Sequence, residues 1–209
     1  MSRIILPFLL FWIIAPSSAQ KMEFSGYDWN TFPSVAIPDT VKPVNGATIT
    51  LERRINEVYL NAEDIFEELS IFHRRIKVAS HDAINNFNKF YIPVGNVIEV
   101  LGIKARFISP SGKITDVPQE SIKEVENLEN KGNFRVFAIE GAESGGEIEY
   151  YYKVRKRFSA YGSVFTQGNE PRTNVEIIFT FPAKLEYATK SYNGFPQFSA
   201  SFDSTSNKK

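Results

Sequence analysis

The stretch Glu147–Phe158, with the sequence EIEYYYKVRKRF, decides the fold class of this chain. The even-numbered positions from Ile148 to Val154 are aromatic or aliphatic, and the odd-numbered positions are mostly charged. Only Lys156 breaks the alternation. Successive side chains of a β-strand point to opposite faces of the sheet, so this pattern predicts an antiparallel strand with one buried and one solvent-facing side.

Further short segments rich in apolar, β-branched and aromatic residues lie on both sides of this strand and are separated by turn residues. They predict more strands. The candidates are Ala47–Leu60, Glu67–Val78, Phe87–Val94, Val97–Ile108, Lys113–Val117, Phe134–Ile139, Val175–Phe181 and Lys184–Tyr192. We expect Phe134–Ile139 to pair with Glu147–Phe158 as a hairpin, because a glycine-containing loop joins them. Gln119–Lys131 is polar and fits either a short helix or a solvated loop. Many short strands with almost no helical signal predict an all-β chain, an antiparallel β-sandwich.

Four local features of the backbone are also predicted. Ser109–Gly112 has the composition of a tight turn, since proline presets the second position and glycine closes it. Gly102 within a strand indicates a bulge, and an apparent change of buried face predicts another bulge near Arg74 or Arg75. Ser80 is suited to cap a short helical turn over Ser80–Asn86.

The ends of the chain differ from its middle. Met1–Ala19 combines one early arginine, an apolar run and small residues before Gln20, which predicts a secretory signal peptide cleaved after Ala19. The apolar run is shorter than the ~20 residues that a membrane-spanning helix needs. Residues 20–46 are predicted to form an extended, irregular arm whose aromatic side chains pin it to the core. Residues 47–192 form the sandwich domain, and residues 193–209 a polar tail, which we expect to be a truncated end.

Composition excludes several classes of function. The chain has no cysteine, so it carries neither a cysteine nucleophile nor a thiolate metal site. Its 24 basic residues balance 24 acidic ones, so no net field favours nucleic acid or an anionic membrane. We find no phosphate-binding loop, no dinucleotide fingerprint and no nucleophile elbow. No cofactor and no catalytic, cofactor-binding or metal-binding residue is predicted.

Three residues remain as candidates for an alternative, catalytic interpretation. Glu147 and Glu149 share one face of a strand, about 7 Å apart by strand geometry, a spacing compatible with a glycosidase pair. The favoured interpretation places both on a solvent face with cross-strand charge pairing. His73 and His81 have no metal-ligand spacing, and His81-Asp82 is at most half of an acid–base pair.

The chain resembles the N-terminal domain of unknown function that precedes transglutaminase-like domains in secreted bacterial proteins. The resemblance covers about residues 65–192, and the leader and Tyr27-Asp28-Trp29 also fit. It rests on the order of the Ser109–Lys113 turn, Phe134–Ile139, the Gly145–Tyr150 run, and Gln167–Pro171 ahead of Val175–Pro182. The resemblance implies an immunoglobulin-like β-sandwich without established activity.

The sequence therefore predicts an exported, periplasmic or extracellular module that is not an enzyme. Its expected partners are a protein, a cell-envelope glycan, or a transglutaminase-like or peptidase-like domain encoded elsewhere. Neither nucleic acid nor stable membrane insertion is expected. The alternative is an envelope hydrolase that uses Glu147, Glu149 or His73.

Overall fold

The computed structural model describes residues 22–29 and 40–202, which contain nine strands and one short α-helix joined by turns and irregular segments. The elements are β1 (Ala47–Leu60), β2 (Phe66–Val78), α1 (His81–Phe87), β3 (Lys89–Pro93), β4 (Val97–Ile108), β5 (Ile114–Asp116), β6 (Lys123–Val125), β7 (Phe134–Ala138), β8 (Glu147–Arg157) and β9 (Val175–Thr180). Within the described ranges, no helix is both long enough and apolar enough to cross a membrane. The predicted signal peptide, Met1–Ala19, residues 20–21 and 30–39 of the predicted arm, and residues 203–209 of the predicted tail lie outside these ranges.

The strands form two sheets. A six-stranded sheet has the order β5-β4-β8-β2-β1-β9, and a three-stranded antiparallel sheet has the order β3-β7-β6. The large sheet is antiparallel throughout, except that β9 runs parallel to β1. The all-β class is thus confirmed, and the expected purely antiparallel arrangement is wrong at β9. The alternation in β9 indicates a strand, but it carries no information on the direction of its partner.

Three other strand predictions need correction. Phe134–Ile139 does not pair with Glu147–Phe158, because β7 lies between β3 and β6 in the small sheet. The loop between β7 and β8 therefore crosses from one sheet to the other instead of closing a hairpin. The polar segment Gln119–Lys131 contains β6 between two short 3-10 turns, and Lys184–Tyr192 forms no strand.

Most of the predicted local features are confirmed. Ser80 caps α1, its Oγ accepting a hydrogen bond from the Ala83 amide. The register shift between Val100 and Gly102 is the expected bulge of β4. The second bulge lies in β1, between Ile49 and Leu51, and not at Arg74 or Arg75. β2 keeps its register with β8, and its apparent change of face arises because both of its faces are buried.

The large sheet is covered on both faces. One face packs against the small sheet and α1, in a core that joins Ile103, Phe107 and Ile148 to Phe90 and Phe137. On the opposite face, Tyr27 and Trp29 of the arm pack on a second cluster formed by side chains of β1, β2 and β8. The expectation that aromatic residues pin the arm to the core is confirmed for these two. The expectation of one solvent-facing side for β8 is wrong.

Candidate functional site

The covered face beneath the arm carries most of the candidate side chains. β2 and β8 are antiparallel neighbours, with His73 opposite Tyr151 and Arg75 opposite Glu149. Arg106 of β4 is opposite Glu149 from the other side. Since residues opposite one another in a sheet share a face, this register brings Glu149, His73 and the two arginines together.

Glu149 lies at the centre of this group, with none of its surface exposed. Its Oε1 accepts hydrogen bonds from Arg75 Nη2 at 2.6 Å and Arg75 Nε at 3.0 Å. Its Oε2 accepts from Arg106 Nε at 2.6 Å. Burial raises the pKa of this carboxyl group, but the hydrogen bond from His73 and the charges of the two arginines outweigh burial and leave the pKa below its usual value. The carboxylate is therefore ionised and serves as an acceptor.

His73, also fully buried, joins Glu149 to the arm. Its Nε2 lies 2.9 Å from Glu149 Oε1, and its Nδ1 lies 2.6 Å from the Tyr27 hydroxyl oxygen. Burial lowers the pKa of the imidazole more than Glu149 raises it, so the ring is neutral at pH 7. An ionised carboxylate can only accept hydrogen bonds, so Nε2 carries the ring proton and donates a hydrogen bond to Glu149. Nδ1 therefore accepts a hydrogen bond from the Tyr27 hydroxyl group.

Burial also acts on Tyr27 itself. It raises the pKa of the phenol to about 12, although the nearby Arg53 opposes this effect. The hydroxyl group therefore remains a donor across the physiological range. The chain Tyr27–His73–Glu149 is consequently a fixed sequence of two hydrogen bonds, both directed towards the carboxylate.

Several further contacts hold the arm on the sheet. The buried carboxylate of Glu57 accepts from the backbone amides of Glu23 at 2.6 Å and Phe24 at 2.9 Å. Lys104 Nζ donates to Asp28 Oδ2 at 2.7 Å. The Arg106 guanidinium lies 4.2 Å from the centre of the Trp29 ring, a cation–π contact. Backbone, charged and aromatic groups of the arm are all engaged, so the arm is an integral layer of the fold.

The structure separates the remaining sequence candidates. Glu147 is partly buried, with an oxygen 3.9 Å from Arg75 Nε. Glu147 and Glu149 thus lie beside the same guanidinium. The pKa of Glu149 is lowered, whereas a glycosidase pair needs one carboxylic acid whose pKa is raised. His81 and Asp82 lie exposed at the start of α1. The cross-strand charge pairing expected for this face of β8 is confirmed by Arg155 Nη2, which lies 3.1 Å from Glu99 of β4.

The face packed by the small sheet carries a second charged cluster, around the fully buried Glu52. Its carboxylate contacts Arg54 at 2.9 Å, Arg74 at 2.8 Å and Arg172 at 2.6 Å. The guanidinium carbons of Arg54 and Arg74 lie 4.7 and 4.9 Å from the centre of the Phe72 ring. One carboxylate thus stands against three arginines, which leaves an excess of positive charge at this end of the sheet.

A cavity of about 880 Å³ lies beside this cluster, beneath the irregular segments on either side of β9. Its lining includes Arg54, Lys156 and Lys190, and its aromatic side chains comprise six phenylalanines and four tyrosines. This volume falls within the range of ligand-binding pockets. No local pattern in the sequence predicts this cavity. The abundance of Phe and Tyr after residue 158 was the one signal available.

Most of the buried network was not predicted from the sequence. Glu149 and His73 were separate candidates, whereas the structure joins them by a hydrogen bond. Tyr27, Arg75 and Arg106 were not among the candidates. The early aromatic arm was the available signal, because a segment that pins itself to a sheet must bring its polar groups with it. Among the described residues, no group of three or more potential ligands is placed to hold a metal ion.

Comparisons with known proteins bear on the fold. No family model matches the chain, and no curated protein matches it. Among solved structures, it is similar to a crystal structure titled "a putative protease from Parabacteroides distasonis ATCC 8503", with a TM-score of 0.52 and 15% sequence identity. The similarity covers 66% of this chain and 29% of that chain. This chain therefore corresponds in fold to less than a third of that protein.

Proposed function

We propose that this chain is an exported, non-catalytic β-sandwich module of immunoglobulin-like type, accessory to a transglutaminase-like or peptidase-like system. The observation that carries the proposal is the burial of its best catalytic candidates. His73 and Glu149 are completely buried, and every hydrogen-bonding atom of the His73 ring is already engaged. A catalytic group must reach its substrate, and this pair instead joins the arm to the sheet.

The similarity to part of a longer chain supports the accessory role. The matched region is 29% of the Parabacteroides distasonis chain, so the same architecture occurs there beside other parts of a longer protein. Fold similarity by itself does not transfer an activity. It does make an accessory module a coherent interpretation of a chain whose buried carboxylates Glu52, Glu57 and Glu149 are all held by internal contacts.

An activity assay tests the non-catalytic part. The full chain is incubated with peptidoglycan and with casein peptides, alongside Glu149→Gln, His73→Ala and the exposed control Glu143→Gln. We expect no turnover from any of them. The proposal would be contradicted if the wild type and Glu143→Gln turned over a substrate and Glu149→Gln did not. Circular dichroism checks that Glu149→Gln is still folded.

The accessory role needs a partner. The DNA on both sides of the gene is read for a frame that encodes Cys, His and Asp at transglutaminase spacing, and that product is purified. Sedimentation of the mixture is expected to reveal a complex with the chain. If such a neighbouring gene exists, and its product and this chain sediment separately at micromolar concentration, the accessory role would be contradicted.

Export has its own measurement. Mass spectrometry of the protein recovered outside the cytoplasm is expected to find Gln20 at the N-terminus, with or without cyclisation. Recovery of a membrane-bound species that still begins at Met1 would refute the predicted cleavage after Ala19.

A hydrolase is the alternative, and one observation favours it. The order carboxylate, imidazole, hydroxyl in Glu149, His73 and Tyr27 is that of an orienting acid, a base and a nucleophile. Two features weigh against it: all three are buried, and the raised pKa of the Tyr27 phenol makes it a poor nucleophile. Turnover assays with peptidoglycan and casein peptides separate the two functions.

A further inference from the structure

The cavity beside β9 is walled by side chains that usually avoid water. The three most exposed large hydrophobic residues of the described chain all line it: Tyr161, Phe165 and Tyr192 are 88%, 80% and 65% exposed. Single exposed apolar residues are ordinary on protein surfaces, but a group of aromatics around one concavity marks a binding surface. The cavity also lies on the opposite face of the sheet from the arm, so its role is independent of the buried network.

The charge around this cavity is unbalanced. Three cations line it, Arg54, Lys156 and Lys190, against the single carboxylate of Glu68. Lys156 is paired with Glu68, and Arg54 with Glu52. Lys190 forms no ion pair within the described residues and lies 5.1 Å from the centre of the Tyr192 ring. The exposed side of the cavity therefore favours a negatively charged group next to an apolar one.

Two segments of the cavity wall have backbone amides without a partner among the described residues, although some of their carbonyl groups accept hydrogen bonds from side chains. Residues 159–167 form no secondary structure, and none of their amide groups donates a hydrogen bond to a described residue. The same holds for residues 187–193 on the opposite wall. Backbone N–H groups are strong donors, and a bound polypeptide offers the matching carbonyl groups. A lipid tail offers no such acceptors, so the unpaired backbone favours a peptide.

We propose that this cavity binds an extended peptide that carries apolar side chains and an acidic residue. The aromatic walls receive the apolar side chains, Lys190 faces the acidic residue, and the amides of residues 159–167 pair with the peptide backbone. The proposal does not depend on the accessory role. It adds a ligand class to a surface to which the sequence assigns no function.

Fluorescence anisotropy tests the proposal with the full chain and two dansylated peptides. One has the sequence Gly-Leu-Phe-Glu-Leu-Phe-Gly, and the other replaces Glu with Lys. We expect saturable binding of the acidic peptide and roughly fivefold weaker binding of the basic one, as for a partly exposed charge pair. Equal affinity for both peptides, or no saturable binding of either, would overturn the proposal.

Two exposed substitutions locate the site. Lys190→Glu should remove the preference for the acidic peptide, whereas Lys113→Glu, an equally exposed charge reversal on the β4–β5 turn, should leave it intact. Phe165→Ser should weaken the binding of both peptides. Tyr91→Ser, which removes an exposed aromatic side chain of the small sheet, should weaken the binding of neither. Equal effects of Lys190→Glu and Lys113→Glu would place the binding elsewhere.

Two further measurements distinguish a peptide site from a lipid site. Hydrogen exchange of the amides of residues 159–167 should slow when the acidic peptide is bound. Dodecanoate, an apolar chain with one carboxylate, should compete poorly because it lacks backbone acceptors. Saturable binding of dodecanoate without binding of either peptide would overturn the proposal in favour of a lipid site.

Discussion

The Nε2 atom of His73 lies 2.9 Å from Oε1 of Glu149, with neither side chain exposed to solvent. Two arginines hold the same carboxylate, and the Tyr27 hydroxyl closes the other side of the imidazole. Burying a charge is costly unless the charge is paired and hydrogen bonded. Partners from the sheet alone satisfy this condition for Glu149. The buried Nδ1 atom of His73, in contrast, has its hydrogen bond only while Tyr27 of the arm is in place, so arm and sheet stabilise each other.

The hydroxyl of Tyr27 is the first test of this mutual dependence. Tyr27→Phe removes the donor and leaves the buried Nδ1 of His73 without a partner, which should reduce the free energy of unfolding by about 1–3 kcal/mol. Urea denaturation measures the change. Tyr91→Phe, at a 54% exposed position, is the matched control and should change stability by less than about 0.5 kcal/mol. Equal effects of the two substitutions would show that the Tyr27 hydrogen bond adds nothing.

The stability of the fold should decrease below neutral pH because of His73. Its folded-state pKa lies below the ordinary value of 6.5, so as the pH falls through that value the unfolded chain takes up a proton that the folded chain does not. The free energy of unfolding should then fall by up to about 1.4 kcal/mol per pH unit. Urea titrations between pH 7.5 and 5.5 measure this slope.

The variant His73→Gln is the control for that pH dependence. It removes the titrating group and keeps a donor for Glu149, so its stability should be nearly flat over the same interval. Glu149 has a pKa below its usual 4.5, and its contribution is lost only at lower pH, as the carboxylate becomes protonated. A wild-type slope that persists in His73→Gln would assign the pH dependence to another group.

Glu57 should control the local stability of the arm. Its carboxylate accepts from the Glu23 and Phe24 amides, and Glu57→Gln replaces the charge-assisted acceptor with a neutral amide. We expect these two amides to exchange with deuterium several-fold faster, while the central strands exchange as before. Glu143→Gln, at an exposed position, should leave their exchange unchanged. Unchanged exchange in Glu57→Gln would show that the carboxylate does not anchor the arm.

Gly146 allows a close approach between β8 and β4. A Cβ atom there would overlap the Phe107 ring and lie 2.9 Å from the Ile108 carbonyl oxygen. Gly146→Ala should therefore destabilise the fold by about 1–3 kcal/mol, the range for overpacking. Gly162→Ala is the control, because no heavy atom lies within 4 Å of its added methyl group. Thermal unfolding compares the two, and a neutral Gly146→Ala would contradict the close packing.

The sequence predicted β8 well because period-two alternation over this length is specific to strands. It misassigned the charged face of β8 because alternation does not reveal what lies above that face. Glu149 looks the same in sequence whether it meets water or the guanidinium groups of Arg75 and Arg106. Those partners come from strands far apart in the chain, and the layer that covers them comes from the arm.

The alternation of apolar and polar residues also does not predict the direction of a strand or the sheet to which it belongs. Val175–Thr180 alternates as a strand should, yet its parallel pairing with β1 depends on the path of the preceding irregular segment. The short β6 is too polar to show alternation, and it forms because it completes the edge of the small sheet beside β7. The cavity beside β9 follows from that same path, so no local motif indicated it.

The central claim, that His73 and Glu149 form a closed anchor for the arm, is tested most directly by the NMR spectrum of the His73 ring. Long-range ¹H–¹⁵N correlations recorded between pH 7.5 and pH 5.5 report the tautomer and the charge of the imidazole. We predict a neutral ring protonated at Nε2 at pH 7, with a titration midpoint below pH 6.5, because burial lowers its pKa. A ring that titrates freely near pH 6.5, or that carries its proton on Nδ1, would contradict the closed anchor.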